Sequence, residues 1–134
     1  MPQLTDLEFI GIAVHDLEAA IQHYVDNLGG VLLPHEQEPA WARQEGMRIA
    51  NVMVGGVMLQ LMAATRENSP VGRFLQRRGE GIFSLRFNVP DGKAALKELQ
   101  EKGLQTIPGT EQYDFLHPKS NFGVLLEFGS KQGQ

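Results

Sequence analysis

The stretch LEFIGIAVHDLEAAIQHYVDNLGG (7–30) decides the fold. Residues 7–14 are rich in β-branched and aromatic side chains and predict a buried strand. Asp16 stands where a helix N-cap belongs. Leu17, Ala20, Ile21, Tyr24, Val25 and Leu28 then recur at helical spacing and form one apolar face. Gly29-Gly30 stop the helix. A second stretch, IFSLRFNVPDGKAALKELQEKG (82–103), reads the same way: a strand, a helix opened by Pro90-Asp91 with Ala95, Leu96 and Leu99 on its apolar face, and a stop at Gly103. The two align without a gap, 75 positions apart, with Phe9 on Ser84, Ile12 on Phe87, Val14 on Val89, Asp16 on Asp91 and Ile21 on Leu96.

A second echo closes each half. GGVMLQL (55–61) resembles FGVLLEF (122–128), 67 positions on, with Val57 on Val124, Leu59 on Leu126 and Gln60 on Glu127. Between helix and closing strand each half has room for two more strands, near 30–36 and 46–54 in the first and near 104–107 and 111–117 in the second. Each half therefore reads β-α-β-β-β, an α+β plan. One such half has too little apolar surface to bury alone. The expected architecture is a single domain over 1–134, with module one at about 5–63 and module two at about 81–129. A linker over 64–80 carries a short helix at 70–77, capped by Ser69-Pro70. Pairing the modules about a pseudo-twofold axis would leave a cleft between them, with the helices outside.

Composition narrows the chemistry. The 134 residues hold no cysteine and four histidines, so thiolate metal sites, disulfides and thiol nucleophiles are excluded. A net charge of −4 argues against a nucleic-acid partner. No apolar run approaches a membrane span, and the first residues lack the pattern of a signal peptide, so a cytoplasmic location is expected.

Gln60 and Glu127 are polar residues inside apolar runs, MLQLM and LLEFG. A carboxylate buried there needs a partner, a metal, a proton or water, whereas at a sheet edge it needs none. Their symmetry equivalence favours an inner position for both. His15, His23, His35 and His117 read as ordinary surface or loop histidines, and no pair has the i, i+4 spacing of a helical metal site. Arg73, Arg77, Arg78 and Lys119 are either a solvated charged face or an anion site of the kind that holds phosphates.

The segments IGIAVHDLEAAIQHYVDNLG (10–29), SPVGRFLQRRGEGI (69–82), LHPKS (116–120) and GVLLEF (123–128) resemble the vicinal-oxygen-chelate superfamily, which includes glyoxalases, extradiol dioxygenases and bleomycin-resistance proteins. Within it they are most similar to the methylmalonyl-CoA epimerase family. The resemblance implies a divalent metal whose four ligands would fall at Phe9, Gln60, Ser84 and Glu127. Two of these retain a ligand type, and both histidines of the pattern are replaced, by Phe9 and Ser84. Phenylalanine cannot ligate a metal and a serine hydroxyl is a poor substitute for imidazole. The family metal is therefore expected to be absent or very weakly held, and no other cofactor is expected.

The resemblance implies an enzyme that handles an acyl-CoA thioester or similar small metabolite by metal-independent proton transfer. Glu127 would be the base, lifted by burial toward the useful range, and Gln60 an orienting donor. Phe9, Ser84, His117, Lys119 and Arg73 would bind the ligand. The second base has only Glu45 as a candidate near the strand Met47-Arg48-Ile49. A homodimer is expected, as is common in the superfamily. The alternative is a non-catalytic binding protein of the bleomycin-resistance type, gripping its ligand between aromatics such as Phe9, Trp41 and Phe83. A third possibility is a metalloenzyme completed by ligands from substrate or partner.

Overall fold

The computed structural model describes residues 4–34 and 37–131; His35 lies outside them. In chain order the elements are β1 (Asp6–Ala13), α1 (Leu17–Gln22), β2 (Val31–Leu32), α2 (Ala40–Gln44), β3 (Met47–Val54), β4 (Val57–Ala64), α3 (Pro70–Arg78), β5 (Gly81–Asn88), α4 (Gly92–Glu101), β6 (Thr106–Ile107), β7 (Asp114–Leu116) and β8 (Leu126–Gly129). The chain divides into two compact units, Ile10–Phe83 and Met1–Phe9 with Ser84–Gln134. The fold is mixed α+β. No helix among the described residues is long and apolar enough to cross a membrane.

In the first unit the strand order is β2-β3-β4-β1. β3 runs antiparallel to β2 and to β4, and β1 runs parallel to β4. The second unit repeats the plan as β6-β7-β8-β5, with β7 antiparallel to both neighbours and β5 parallel to β8. The two sequence echoes meet on one rung in each unit: Gly11 opposite Gln60, and Arg86 opposite Glu127. Residues 75 apart on the opening strands and 67 apart on the closing strands thus occupy equivalent places.

The helices start where the caps require. Asp16 accepts from the Ala19 N–H at 3.0 Å and Asp91 from the Ala94 N–H at 3.1 Å. Each cap satisfies an N–H that the first helical turn would otherwise leave unpaired, worth about 1 kcal/mol. Behind α1, Leu17 packs with Ala50, Val52, Leu61 and Ala63, joined by Ile12, Ala20, Ile21 and Tyr24. Behind α4, Ala95 packs with Val89, Leu116 and Phe128, joined by Leu96 and Leu99. Each fully buried leucine or valine in these clusters contributes about 1.5–3 kcal/mol. The predicted helical face is the one α4 buries, and α1 buries it as far as Tyr24; Leu28, expected on the same face, is exposed beyond the π-helical turn.

Charged side chains tie helix to sheet in both units with opposite polarity. Glu18 of α1 meets Arg48 of β3 at 2.5 Å, while Lys93 of α4 meets Asp114 of β7 at 2.9 Å. The β3–β4 hairpin turns on Gly55-Gly56, both at positive φ (58° and 82°), as a tight two-residue turn demands.

Several elements depart from the sequence expectation. α1 continues into a π-helical turn, His23–Asn27, before Gly29. α2 was not expected: it is five residues long behind Pro39, too short for periodicity to reveal. The strands expected near 30–36 and 104–107 reduce to two residues each, and that near 111–117 to three. α3 follows its Ser69-Pro70 start, with Ser69 Oγ accepting from the Gly72 N–H at 3.0 Å, and extends to Arg78. Val124, aligned with Val57 of β4, is in no strand; its N–H and C=O are both engaged by Asn121 in a local turn.

Candidate functional site

Strand alternation sorts each sheet into a face that meets its helix and a face that does not. In the first unit Leu59, Leu61, Ala50 and Val52 pack toward α1. Gln60 and Asn51, paired in register, therefore point to the other side, with Ile49 and Met62 on the next like-facing rung. Gln60 is 6% exposed, and its Nε2 donates to Asn51 Oδ1 at 3.1 Å. The amide pair satisfies itself in an otherwise apolar surface. The residues of β3 on this face, Met47, Ile49, Asn51 and Met53, include no acid. Glu45 sits instead at the C-cap of α2. A cavity of about 230 Å³ in this unit is lined by Leu32, Leu33, Pro34, Gln37, Ala50 and Asn51 and contains none of the sequence-predicted site residues.

In the second unit Leu126 and Phe128 pack toward α4, so Glu127 faces away from it. The neighbour in register on β5 is Arg86, only 3% exposed. Arg86 Nη1 donates to Glu127 Oε2 at 2.8 Å, and Nη2 to the Ser130 carbonyl at 3.2 Å. The Glu127 side chain is 13% exposed. On its other flank Phe115 of β7 is in register, its ring edge-on to Tyr113 at 5.5 Å. Glu127 is therefore not the lone buried carboxylate that the sequence suggested. A guanidinium compensates its charge.

Ser84 and Asn88 flank Arg86 at alternate positions of β5, and all three are buried. Asn88 Nδ2 donates to Asp6 Oδ2 at 3.0 Å and Glu8 Oε1 at 3.1 Å. The first of these bonds, with that from Thr5, holds the Asp6 carboxyl below the ordinary carboxylate range. Three buried polar atoms of this row have no hydrogen-bond partner among the described residues: Ser84 Oγ, Arg86 Nε and Asn88 Oδ1. Phe9, also buried, brings only carbon to its position.

The other expected ligand-binding residues have local duties. His117 Nδ1 accepts from the Lys119 N–H at 3.0 Å and caps the short 3-10 turn Pro118–Ser120, with the Lys119 side chain exposed. Arg73 is exposed on α3 and donates to the Asn68 carbonyl. Arg78 lies over the Phe74 ring at 5.8 Å. His15 is held through its backbone N–H by Glu80 at 2.9 Å, and His23 bonds Asn27 at 2.9 Å. Trp41 is exposed on α2, and Phe83 packs edge-on to Phe74 at 5.3 Å. Among the described residues no three of His, Cys, Asp or Glu gather as a metal would require.

Arg86 and Asn51 were missed from sequence. Arg86 carried a readable signal, a charge inside the apolar run IFSLRFNV at the same parity as Ser84. Asn51 sits likewise inside RIANVMV.

Known proteins share this architecture. The chain is 30% identical over 130 residues to the ethylmalonyl-CoA/methylmalonyl-CoA epimerase of Cereibacter sphaeroides, covering 90% of this chain and 94% of that protein. Its structure superposes on a methylmalonyl-CoA epimerase in complex with methylmalonyl-CoA and NH4+ with a TM-score of 0.85 and 31% identity, over 98% of this chain and 97% of the other. A Streptomyces coelicolor methylmalonyl-CoA epimerase variant in complex with 2-nitronate-propionyl-CoA matches at a TM-score of 0.83 with 31% identity, over 98% of this chain and 100% of that one. Residues 9–117 match the model of one family, and the chain belongs to it: the glyoxalase/bleomycin resistance protein/dioxygenase superfamily.

Proposed function

We propose that the protein binds an acyl-CoA thioester and mobilises the proton α to its carbonyl, with Glu127 as the base. One observation carries the reading. Glu127 stands on the helix-averted face of β8, held at 2.8 Å by Arg86, in a chain similar along nearly its whole length to epimerases that bind such thioesters. The Glu127 carboxylate takes the α-proton; the C–H electron pair becomes the carbon–carbon double bond, and the carbonyl π pair moves to oxygen as an enolate. Return of a proton from Glu127 reverses the step.

The residues at the family's ligand positions do not fit a divalent ion. Phe9 offers no donor atom, Ser84 a weak one, and the carboxylate of Glu127 already has a cation beside it. The proposed reaction is therefore metal-independent.

The test is incubation with propionyl-CoA and methylmalonyl-CoA in deuterated water, with the α-position followed by mass spectrometry. Exchange should fall by about 10²–10⁴-fold in Glu127→Gln. Exchange undiminished in that variant would remove Glu127 from the chemistry. A second reading, a binding protein without turnover, is favoured by the engagement of Glu127 with Arg86; binding of both thioesters with no exchange in the unaltered protein would select it.

A further inference from the structure

β5 presents two hydrogen-bond donors that its own unit leaves unused. Ser84 and Arg86 are almost fully buried, yet Ser84 Oγ and Arg86 Nε have no partner among the described residues. Folding normally avoids this, because a buried donor without an acceptor bears its desolvation cost uncompensated. Alternation puts both on one face of β5, where Arg86 meets Glu127. The two terminal nitrogens of Arg86 are occupied, by Glu127 and by the Ser130 carbonyl. Those bonds fix the guanidinium plane and with it the direction of the Nε–H.

We infer that Ser84 Oγ–H and Arg86 Nε–H are the donors to the thioester carbonyl oxygen, and that they hold the enolate oxygen once the α-proton has moved. The inference rests on the acyl-CoA reading and adds to it the group that receives the charge. Charge balance favours a carbonyl oxygen over a carboxylate. The Arg86–Glu127 pair is net neutral, so a ligand carboxylate would arrive against the Glu127 carboxylate. A carbonyl arrives uncharged. When Glu127 takes the proton it loses its negative charge, and the enolate oxygen gains one. The guanidinium then faces one anion before the step and one after it, on different atoms. Prearranged donors of this kind strengthen as charge develops. The equivalent positions of β1, Phe9 and Gly11, have no side-chain donor, so this arrangement belongs to one strand of the pair alone.

The experiment compares binding of 2-nitronate-propionyl-CoA, anionic where the enolate would be, with that of propionyl-CoA by isothermal titration calorimetry. Ser84→Ala should weaken the nitronate by roughly tenfold or more and propionyl-CoA by only ~2-fold. Arg86→Lys keeps a cation beside Glu127 but removes the Nε–H, and should lower the same ratio. Thermal unfolding of Ser84→Ala gives a separate readout: loss of an unpartnered buried hydroxyl should leave the midpoint unchanged or raised. A nitronate-to-propionyl preference unchanged in both variants overturns the inference while leaving the acyl-CoA reading intact. Failure of the unaltered protein to bind either ligand overturns both.

Discussion

Each unit places one polar residue of its closing strand between two neighbouring strands, and the two units solve the resulting problem from opposite sides. Gln60 lies between Gly11 of β1 and Asn51 of β3. Glycine offers nothing, and the partner is the asparagine. Glu127 lies between Arg86 of β5 and Phe115 of β7. Phenylalanine offers nothing, and the partner is the arginine. The backbone rung is common to both; the side from which satisfaction comes is not. The first unit has closed its polar pair into a neutral couple, while the second has an ion pair with donors to spare. The chemistry differs between the halves while the register is the same.

The widest gap between the halves should appear on removing Arg86. Arg86→Met strips the cation from a mostly buried carboxylate and should lower the unfolding free energy by about 3 kcal/mol in urea titration. Arg86→Met combined with Glu127→Gln should recover much of that loss, because no charge is then stranded. A single-variant loss below about 1 kcal/mol would put the pair with exposed ion pairs and erase the contrast.

The neutral couple should be less sensitive. Gln60→Leu leaves Asn51 Oδ1 without its donor and should cost about 1–3 kcal/mol by the same titration. Adding Asn51→Leu should recover part of it. A larger penalty than for Arg86→Met would reverse the ranking.

The smallest effect concerns the ties of opposite polarity. The hydrogen bond from Arg48 holds the Glu18 carboxyl below its ordinary range, and the same contact raises Arg48. A folded value lower than the unfolded one means that stabilisation is present above the ordinary glutamate range. It is lost as the pH falls through the lowered folded value. Both groups are solvent-facing, so the slope should be slight. Glu18→Gln should flatten it in melting curves taken from neutral to strongly acidic pH. An unchanged slope in that variant would assign the acid sensitivity elsewhere.

Much of the fold was legible because it rests on local signals. Asp16 and Asp91 cap as read, Ser69-Pro70 starts a helix as read, and the opening strands follow their β-branched runs. What escaped needs information that no window of sequence holds. The pairing of Glu127 with Arg86, 41 positions away, depends on cross-strand register. Once the strands were aligned, the offset that set Phe9 on Ser84 also set Gly11 on Arg86, so the asymmetry was present in the repeat itself. His117 drew interest as a ligand contact, but its ring nitrogen is used by the adjoining turn, a duty that depends on side-chain rotamer and is invisible to spacing.

From Asp16 to Gly29 the first half is one residue longer than the second from Asp91 to Gly103. The closing bonds register the difference: Leu104 N–H reaches back to the Leu99 carbonyl, whereas Gly30 N–H reaches one residue further, to the Tyr24 carbonyl. The π-helical turn at His23–Asn27 accommodates the surplus. An insertion in a strand would have reversed the parity of every side chain beyond it. In the helix it is absorbed within a single turn, and the sheet keeps its faces. One residue of the length difference between the halves is thus taken up in a helix, where it leaves the rungs that carry their differing chemistries undisturbed.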